Sequence, residues 1–207
     1  MSTIRQIDLK RVVAYSSVAH MNLGVLGVFS ENKQGLDGAI FLSVAHGIVS
    51  PALFLCVGVV YDLYHTRLIR YYAGLVAVMP LFASLFFYFS LANTAFPGTP
   101  GFVGELLTLN GIFFSNPGTV LLGATGIVFS AVYSLLAFNR TTFTTLKARY
   151  IQLYRDLKFQ EFAILGTLVI AAFVLGLIAA VILNFTDLFT AETLILQTLT
   201  SSLASTF

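Results

Sequence analysis

The sequence predicts an all-α fold, a polytopic transmembrane bundle of about six helices. Of its 207 residues, 57% are hydrophobic and only 10% are charged, a composition that excludes a soluble single domain. Five stretches free of Asp, Glu, Lys and Arg are each long enough to cross a hydrocarbon core, which needs roughly 20 helical residues. These stretches are residues 12–30, 38–61, 71–104, 106–139 and 162–186.

Helix caps and breakers divide the chain into six apolar segments. We name them A (11–29), B (38–62), C (72–95), D (101–114), E (118–138) and F (161–184). Between C and D, two prolines and two glycines in Phe96–Gly101 exclude regular helix. Segment D, some 21 Å long at 1.5 Å per residue, is short for an independent crossing and fits one part of a broken helix.

The number of basic residues on each side does not predict the membrane orientation of these six segments. Six alternating crossings put both ends of the chain on one side, and the loops then divide the basic residues five against six. One side receives Arg5, Lys10, Arg11, Arg67 and Arg70, and the other Lys33, Arg140, Lys147, Arg149, Arg155 and Lys158.

The connection 141–160 is the longest polar one, and it has an amphipathic pattern. Five side chains recur at helical spacing, with four basic residues among them: Leu146, Tyr150, Leu153, Tyr154 and Leu157, with Lys147, Arg149, Arg155 and Lys158. Such a stretch lies in the membrane interface, docks on a neighbouring subunit, or is a solvated connector.

Composition excludes several classes of function. The single cysteine, Cys56, excludes a disulfide framework and any Cys-ligated iron–sulfur or zinc site within the chain. No basic run or aromatic–basic interleaving supports nucleic-acid binding. The sequence also has no nucleophile triad, phosphate loop, metal-binding motif or carboxylate dyad, so the chemistry that remains is proton movement.

Two ionisable residues inside the apolar segments are candidates for that chemistry. Glu105 follows the Pro-Gly break, where an ionised carboxylate in hydrocarbon must be protonated, paired or hydrated; alternatively it caps segment D near the surface. His46 lies near the middle of segment B, with Ser43, Ser50 and Pro51 nearby. It is a candidate proton relay or, equally, a buried histidine bonded to a serine.

Two further residues have weaker signals. His20 follows Ser16 and Ser17 by one helical turn in segment A, and a structural role is favoured there. Lys10 stands where the polar start of the chain meets the first apolar run, and its charge pattern alone predicts a side chain that snorkels to the interface.

Four motifs in order resemble the antiporter-like proton-pumping membrane subunits of respiratory complex I. They are Asp8–Asn22, Ala45–Cys56, His65–Arg67 and Gly101–Leu107. Subunits of multi-subunit sodium/proton antiporters share part of these motifs, but the sequence of Tyr15–Asn22 favours the complex I subunits.

The resemblance implies a domain organisation. Members of the family contain two inverted repeats, and residues 1–140 resemble the second repeat, with a broken helix near 96–114. Residues 141–160 would then be the connector, and residues 161–207 the terminal transmembrane helix with its tail. We therefore expect a split subunit whose amino-terminal half is a separate polypeptide; a truncated sequence or a pseudogene product is the alternative.

The resemblance also implies a function. The chain would translocate protons across the mitochondrial inner membrane, coupled to NADH oxidation by ubiquinone, alongside other membrane-arm subunits in the lipid bilayer. NADH, flavin, iron–sulfur clusters and ubiquinone would be bound by those other subunits, with no cofactor in this chain. Two alternatives stay open: a cation/proton antiporter subunit of a non-redox complex, and a structural half-subunit without pumping.

The same resemblance implies roles for the candidate residues. Lys10 resembles a lysine of the family's central hydrophilic axis, His46 a connecting group on that axis, and Glu105 the glutamate of the broken helix near the exit. His20 matches a family histidine in position, without an assigned role.

Overall fold

The computed structural model describes residues 3–72, 74–145, 155–186, 190 and 192. Within these residues every regular element is helical, which confirms the predicted all-α fold; the β-type pairing seen there is the isolated bridge between Asp8 and Leu68. The α-helices are α1 (Leu9–Val28), α2 (Lys33–Tyr64), α3 (Leu75–Val78), α4 (Pro80–Asn93), α5 (Pro100–Ser115), α6 (Pro117–Thr142) and α7 (Phe159–Leu177).

Three of these helices, α2, α6 and α7, are long and apolar enough to cross a membrane. The 32 residues of α2 extend about 48 Å, well beyond a hydrocarbon core of about 30 Å. Segment B was thus predicted too short at its start, because α2 already begins at Lys33. Segment C is interrupted at Met79, between α3 and α4, and segment F is interrupted at Ile178 before residues 179–186 continue as helix.

Helices α4 and α5 follow one another along a single path antiparallel to α2. Phe86 of α4 lines a cavity together with Leu53 of α2, whereas Gly111 of α5 lies against Gly35 near the start of α2. The break between the two helices contains left-handed backbone at Ala95 (φ 53°) and Gly98 (φ 91°). Segments C and D therefore form one discontinuous crossing rather than two.

The path is held against α2 by backbone-to-backbone packing of α5. A methyl group added at Gly104 would lie 2.8 Å from Cα of Leu42, and one added at Gly38 would lie 2.9 Å from the carbonyl carbon of Leu107. Small residues let membrane helices approach this closely, so that van der Waals contact and polar interactions replace the hydrophobic effect that lipid does not supply. Glycine at these two positions sets the distance between α2 and α5.

Three parts of the chain meet at one end of the bundle, where the amino-terminal segment joins the loop after α2. The amide of Leu9 donates to the carbonyl of Arg67 (3.0 Å), and the amide of Ile69 donates to Ile7 (2.9 Å). Arg140, at the end of α6, lines a cleft with this amino-terminal segment. We call this the basic end.

The connection into α7 also reaches the basic end. The carboxylate of Asp156 accepts from the amides of Leu81 (3.0 Å) and Phe82 (3.2 Å) in the first turn of α4. It thereby caps a helix whose first amides have no partner within the helix.

The opposite end joins the loop after α1 to the end of α5. The side-chain amide of Asn32 donates to the carbonyl of Gly111 (3.0 Å), and that of Asn110 donates to Gln34 (2.8 Å). Farther along the chain, the Thr190 hydroxyl donates to the Asp37 carboxylate (2.9 Å), so the chain beyond α7 reaches the same end as the start of α2.

This arrangement corrects the distribution of basic residues between the two sides of the membrane that six crossings predicted. Because α4 and α5 share one crossing, α6 ends at the basic end. Of the nine basic residues within the described ranges, eight lie at that end and only Lys33 at the opposite one; Lys147 and Arg149 fall outside those ranges. By the positive-inside rule, this asymmetry favours an orientation with the basic end on the cytoplasmic side, or on the matrix side of a mitochondrial membrane.

Gly104→Ala is expected to destabilise the protein by about 1–3 kcal/mol, because the added methyl group pushes the backbones of α5 and α2 apart. Thermal unfolding in detergent measures the effect. Gly126→Ala is the matched control, since an added Cβ on that α6 glycine meets nothing within 4 Å. Equal stability of the two variants would contradict the packing described for α2 and α5.

Cysteines placed at the two ends should react with a membrane-impermeant thiol reagent from opposite sides. We expect Arg67→Cys and Arg155→Cys to be labelled from one side and Asn116→Cys, between α5 and α6, from the other. Native Cys56 is buried and is expected to stay unlabelled. Labelling of Arg67→Cys and Asn116→Cys from the same side would refute the single α4–α5 crossing.

Candidate functional site

A carboxylate and an imidazole form a buried pair in the middle of the bundle. Oε1 of Glu105 lies 2.8 Å from Nδ1 of His20. Glu105 is 3% exposed and His20 6%, so neither group is solvated from outside the chain. A buried pair of titratable groups offsets its desolvation cost only when good hydrogen-bond geometry and further polar contacts compensate.

The helix break explains why Glu105 is available at this depth. Pro100 begins α5, and Glu105 follows within its second turn, immediately after the glycine that touches α2. The Thr108 hydroxyl donates to the carbonyls of Gly104 and Glu105, so its polar atom is satisfied within α5. The surface-cap alternative for Glu105 is therefore not what the structure shows.

His46 of α2 lies beside the pair. Its ring centroid is 5.5 Å from that of His20, with the ring planes at 35°. Pro51, one turn later, cannot donate a backbone hydrogen bond and so leaves the carbonyl of Gly47 without its usual helical partner. The nearby Ser50 hydroxyl is bonded to Ser17 of α1 (3.1 Å) rather than to His46.

Several buried polar atoms of this region have no hydrogen-bond partner among the described residues. They are Nε2 of His20, Nε2 of His46, Oε2 of Glu105, Oδ1 of Asn93 and the hydroxyl of Tyr133. Buried polar groups in native proteins are nearly always satisfied, and a local cluster of exceptions indicates a hydrated or chemically active site. The cluster that we call the central polar site consists of His20, His46, Asn93, Glu105 and Tyr133.

Three cavities meet at the central polar site. One of about 10 Å³ is lined by His20, His46, Asn93 and Glu105. A second, of about 20 Å³, extends from Asn93 towards Leu9 near the basic end. These volumes are close to the 10–15 Å³ that one water molecule requires.

The third cavity, of about 140 Å³, extends from the central polar site in the other direction. His20 and Glu105 form its inner wall, and Leu26 and Leu122, nearer the opposite end, line it farther out. Ser130 of α6 adds a hydroxyl to this wall. The three cavities together trace a line through the bundle from one end towards the other.

The structure brings three of the four predicted site residues together. His20, His46 and Glu105 converge, whereas Lys10 is exposed in the first turn of α1, where its backbone amide donates to the Asp8 side chain (2.9 Å). Ten residues of helix, about 15 Å, separate Lys10 from His20. Within this chain, Lys10 is not part of the central polar site.

Sequence reasoning missed several polar residues. No local motif marks Asn93 or Tyr133, because each is an isolated polar side chain at the end or in the middle of an apolar helix. Asp37, which precedes predicted segment B, is buried in α2. The sequence did contain a signal for the hydrogen-bond partner of Glu105. A carboxylate in the membrane needs a counter-group, and the apolar segments contain two histidines as candidates.

Two predictions concern residues outside the described ranges. The amphipathic pattern at Leu146, Tyr150 and Leu153 lies there, and so does most of the predicted tail after residue 186.

Comparisons with known proteins agree on one family. The family model described as the transmembrane region of NADH:quinone oxidoreductase/Mrp antiporter matches residues 1–134. NADH-ubiquinone oxidoreductase chain 4 of Chondrus crispus is 47% identical over 184 residues, covering 89% of this chain and 37% of that protein. Chain 4 of Arabidopsis thaliana is 52% identical over 161 residues, covering 78% of this chain and 32% of that protein.

A solved structure supports the same fold. Respiratory complex I from Thermus thermophilus with bound NADH contains a chain that matches with a TM-score of 0.85 and 29% identity, over 92% of this chain and 41% of that one. These matches confirm the resemblance carried by the four motifs. The chain spans about a third of the length of the curated relatives it matches.

A double-mutant cycle on His20→Phe and Glu105→Gln should give an interaction energy of about 1–3 kcal/mol in thermal unfolding, because each single change leaves a buried polar group unpaired. The exposed pair Lys158–Glu161, 4.0 Å apart, is the control and should give less than about 0.5 kcal/mol. Additive effects of the two site variants would show that the buried pair carries no interaction.

Proposed function

Because the chain belongs to the NADH:quinone oxidoreductase/Mrp antiporter transmembrane family, we propose that it translocates protons as part of a complex I membrane-arm subunit. The proposal extends to the mitochondrial inner membrane, since relatives with up to 52% identity are chains of NADH-ubiquinone oxidoreductase from eukaryotes. NADH oxidation by ubiquinone takes place in other subunits, which bind the flavin and the iron–sulfur clusters.

The observation that carries the proposal is the buried pair of His20 and Glu105 between two cavities. Imidazole accepts a proton on one ring nitrogen and releases another proton from the second. Nδ1 of His20 faces Glu105, and Nε2 is unpartnered among the described residues. A proton taken up at Nε2 can therefore leave from Nδ1 to the carboxylate.

The direction of transfer follows the cavities. On the side of the basic end, the proton reaches the central polar site past Asn93 and Tyr133, which line the second cavity. His46 lies next to His20 and accepts or returns a proton there. Glu105 delivers the proton into the 140 Å³ cavity, which leads towards the opposite end.

Control of this transfer requires a change in the charge near the pair. One proton shared between His20 and Glu105 leaves an ion pair or two neutral groups, and the balance between these forms depends on neighbouring charges. Moving one charge against 100 mV costs about 2.3 kcal/mol, which a neighbouring charge in a region of low dielectric can offset. The redox reaction would supply that change through adjacent subunits.

Lys10 remains a proposed proton-path residue of the complete subunit. Its exposed ammonium group lies at the basic end, on the first turn of the helix that bears His20. We propose that it faces the remaining part of the subunit, because the relatives are about three times as long as the matched region.

A second candidate function is cation/proton exchange in a non-redox complex. The family model that matches residues 1–134 covers Mrp antiporters as well as NADH:quinone oxidoreductases. The same central polar site would then exchange protons against sodium or potassium without NADH.

Glu105→Gln should abolish or sharply reduce NADH-driven proton pumping while the complex still assembles, because glutamine keeps a hydrogen-bonding side chain but cannot carry the proton. Pumping is measured by pH-dye quenching in proteoliposomes that contain the purified complex, with NADH and a soluble quinone. Glu31→Gln, in the exposed loop after α1, is the matched control and should pump normally.

The outcomes separate the alternatives. Normal pumping by Glu105→Gln would refute its role and favour a structural subunit. Exchange that depends on sodium or potassium and proceeds without NADH would favour the antiporter.

A further inference from the structure

A large cavity at the basic end is not part of the proton path. It is a cleft of about 730 Å³ at the basic end, between the amino-terminal segment, the loop after α2 and the end of α6. Neither the central polar site nor its cavities contribute a residue to this cleft. The role of the cleft is therefore distinct from proton transfer.

Three arginines from distant parts of the sequence line the cleft. Arg5 belongs to the amino-terminal segment, Arg70 to the loop after α2, and Arg140 to the last turns of α6. Among the described residues that line the cleft there is no carboxylate. Guanidinium groups bind phosphate oxygens with paired hydrogen bonds, so convergence of three of them favours a phosphate-bearing ligand.

The remaining lining combines hydroxyl groups with apolar side chains. Thr144 and Tyr72 contribute hydroxyls, and Ile4, Ile7 and Ile69 contribute aliphatic surface. A soluble phosphate compound would gain little from the isoleucines. A molecule with a charged phosphate and a hydrocarbon portion matches both kinds of surface.

The side chains beside the cleft are of the kind found at the membrane interface. Tyrosines cluster beside it: the rings of Tyr64 and Tyr72 are 6.1 Å apart, and Arg67 lies 4.7 Å above the ring of Tyr61. Aromatic side chains of this kind are enriched at the level of lipid headgroups. The side involved is the one that the positive-inside rule favours as cytoplasmic or matrix.

We propose that this cleft binds the headgroup of an anionic phospholipid. The phosphate lies among Arg5, Arg70 and Arg140, and an acyl chain runs over the isoleucines. Basic pockets between transmembrane helices on this side of a membrane bind anionic headgroups by the same chemistry. The bound lipid would join the start of the chain to α6 at the basic end.

Photocrosslinking in the intact complex tests the proposal. The probe is phosphatidylglycerol with a photoreactive group at the start of one acyl chain, and its crosslinks are mapped by mass spectrometry. We expect crosslinks in the peptides that line the cleft. Replacing Arg5, Arg70 and Arg140 together by Gln should lower the yield at subsaturating probe by about fivefold per arginine, on the order of a hundredfold in total.

A matched triple variant serves as control. Arg11, Arg155 and Lys158 lie at the same end but do not line the cleft, so changing them to Gln removes the same charge and should leave the yield unchanged. A single Arg5→Gln change, in a short turn outside the helices, is expected to give about a fivefold loss and provides the test if the triple variant does not assemble.

Four results would overturn the proposal. Equal losses in the two triple variants would mean that only the general surface charge attracts the lipid. Equal crosslinking by a phosphatidylcholine probe with the same acyl chains would mean an apolar groove without headgroup selectivity. Displacement of the probe by inorganic phosphate would mean a site for the free ion. No crosslink in the cleft would mean that another part of the complex fills it.

Discussion

The close packing of α5 against α2 is the constraint on which the rest of the structure depends. Gly104 and Gly38 bring the two backbones into direct contact, and this contact fixes the height of α5 along α2. Glu105 follows Gly104 directly, so its carboxylate is fixed at the level where α1 presents His20. A looser contact between α5 and α2 would displace the carboxylate and leave an unpaired charge in an apolar region, which is costly.

The break between α4 and α5 gives the bundle polar groups in its interior. In an unbroken helix the backbone groups would be hydrogen-bonded within the helix, and only side chains could supply polar groups to the interior. Here the break ends α4 at Asn93 and begins α5 at Pro100, and these ends lie beside a cavity shared with His46. Irregular backbone is tolerated at membrane depth when it is buried in protein or lines a cavity. Thr99 is buried, whereas Phe96 and Pro97 are exposed on this chain and would need other protein to cover them within a membrane.

The sequence was informative where physical signals are local. Long uncharged stretches predicted the helical bundle, and the Pro-Gly cluster predicted the break, because hydrophobic length and missing backbone donors are properties of neighbouring residues. The pairing of His20 with Glu105 spans 85 positions, and no local pattern reports it. The predicted distribution of basic residues between the two sides was wrong for a related reason. Segments C and D were counted as two crossings although they form one, and this error reverses the side assigned to every later loop. Asp37 fell outside segment B because charged residues were used to bound the apolar segments, yet it is buried in α2.

Helix α7 is tied to the bundle at three heights. Asp156, just before it, holds the first turn of α4; Gly176 near its end lies against the backbone of Gly98 in the break; and Thr190 beyond it bonds to Asp37 of α2. Helix α7 itself ends at Leu177, close to the contact of Gly176 with Gly98, so its interruption at Ile178 lies at the height of the break between α4 and α5. Two neighbouring crossings are therefore discontinuous at the same depth, and a bend of the bundle at this depth would involve both.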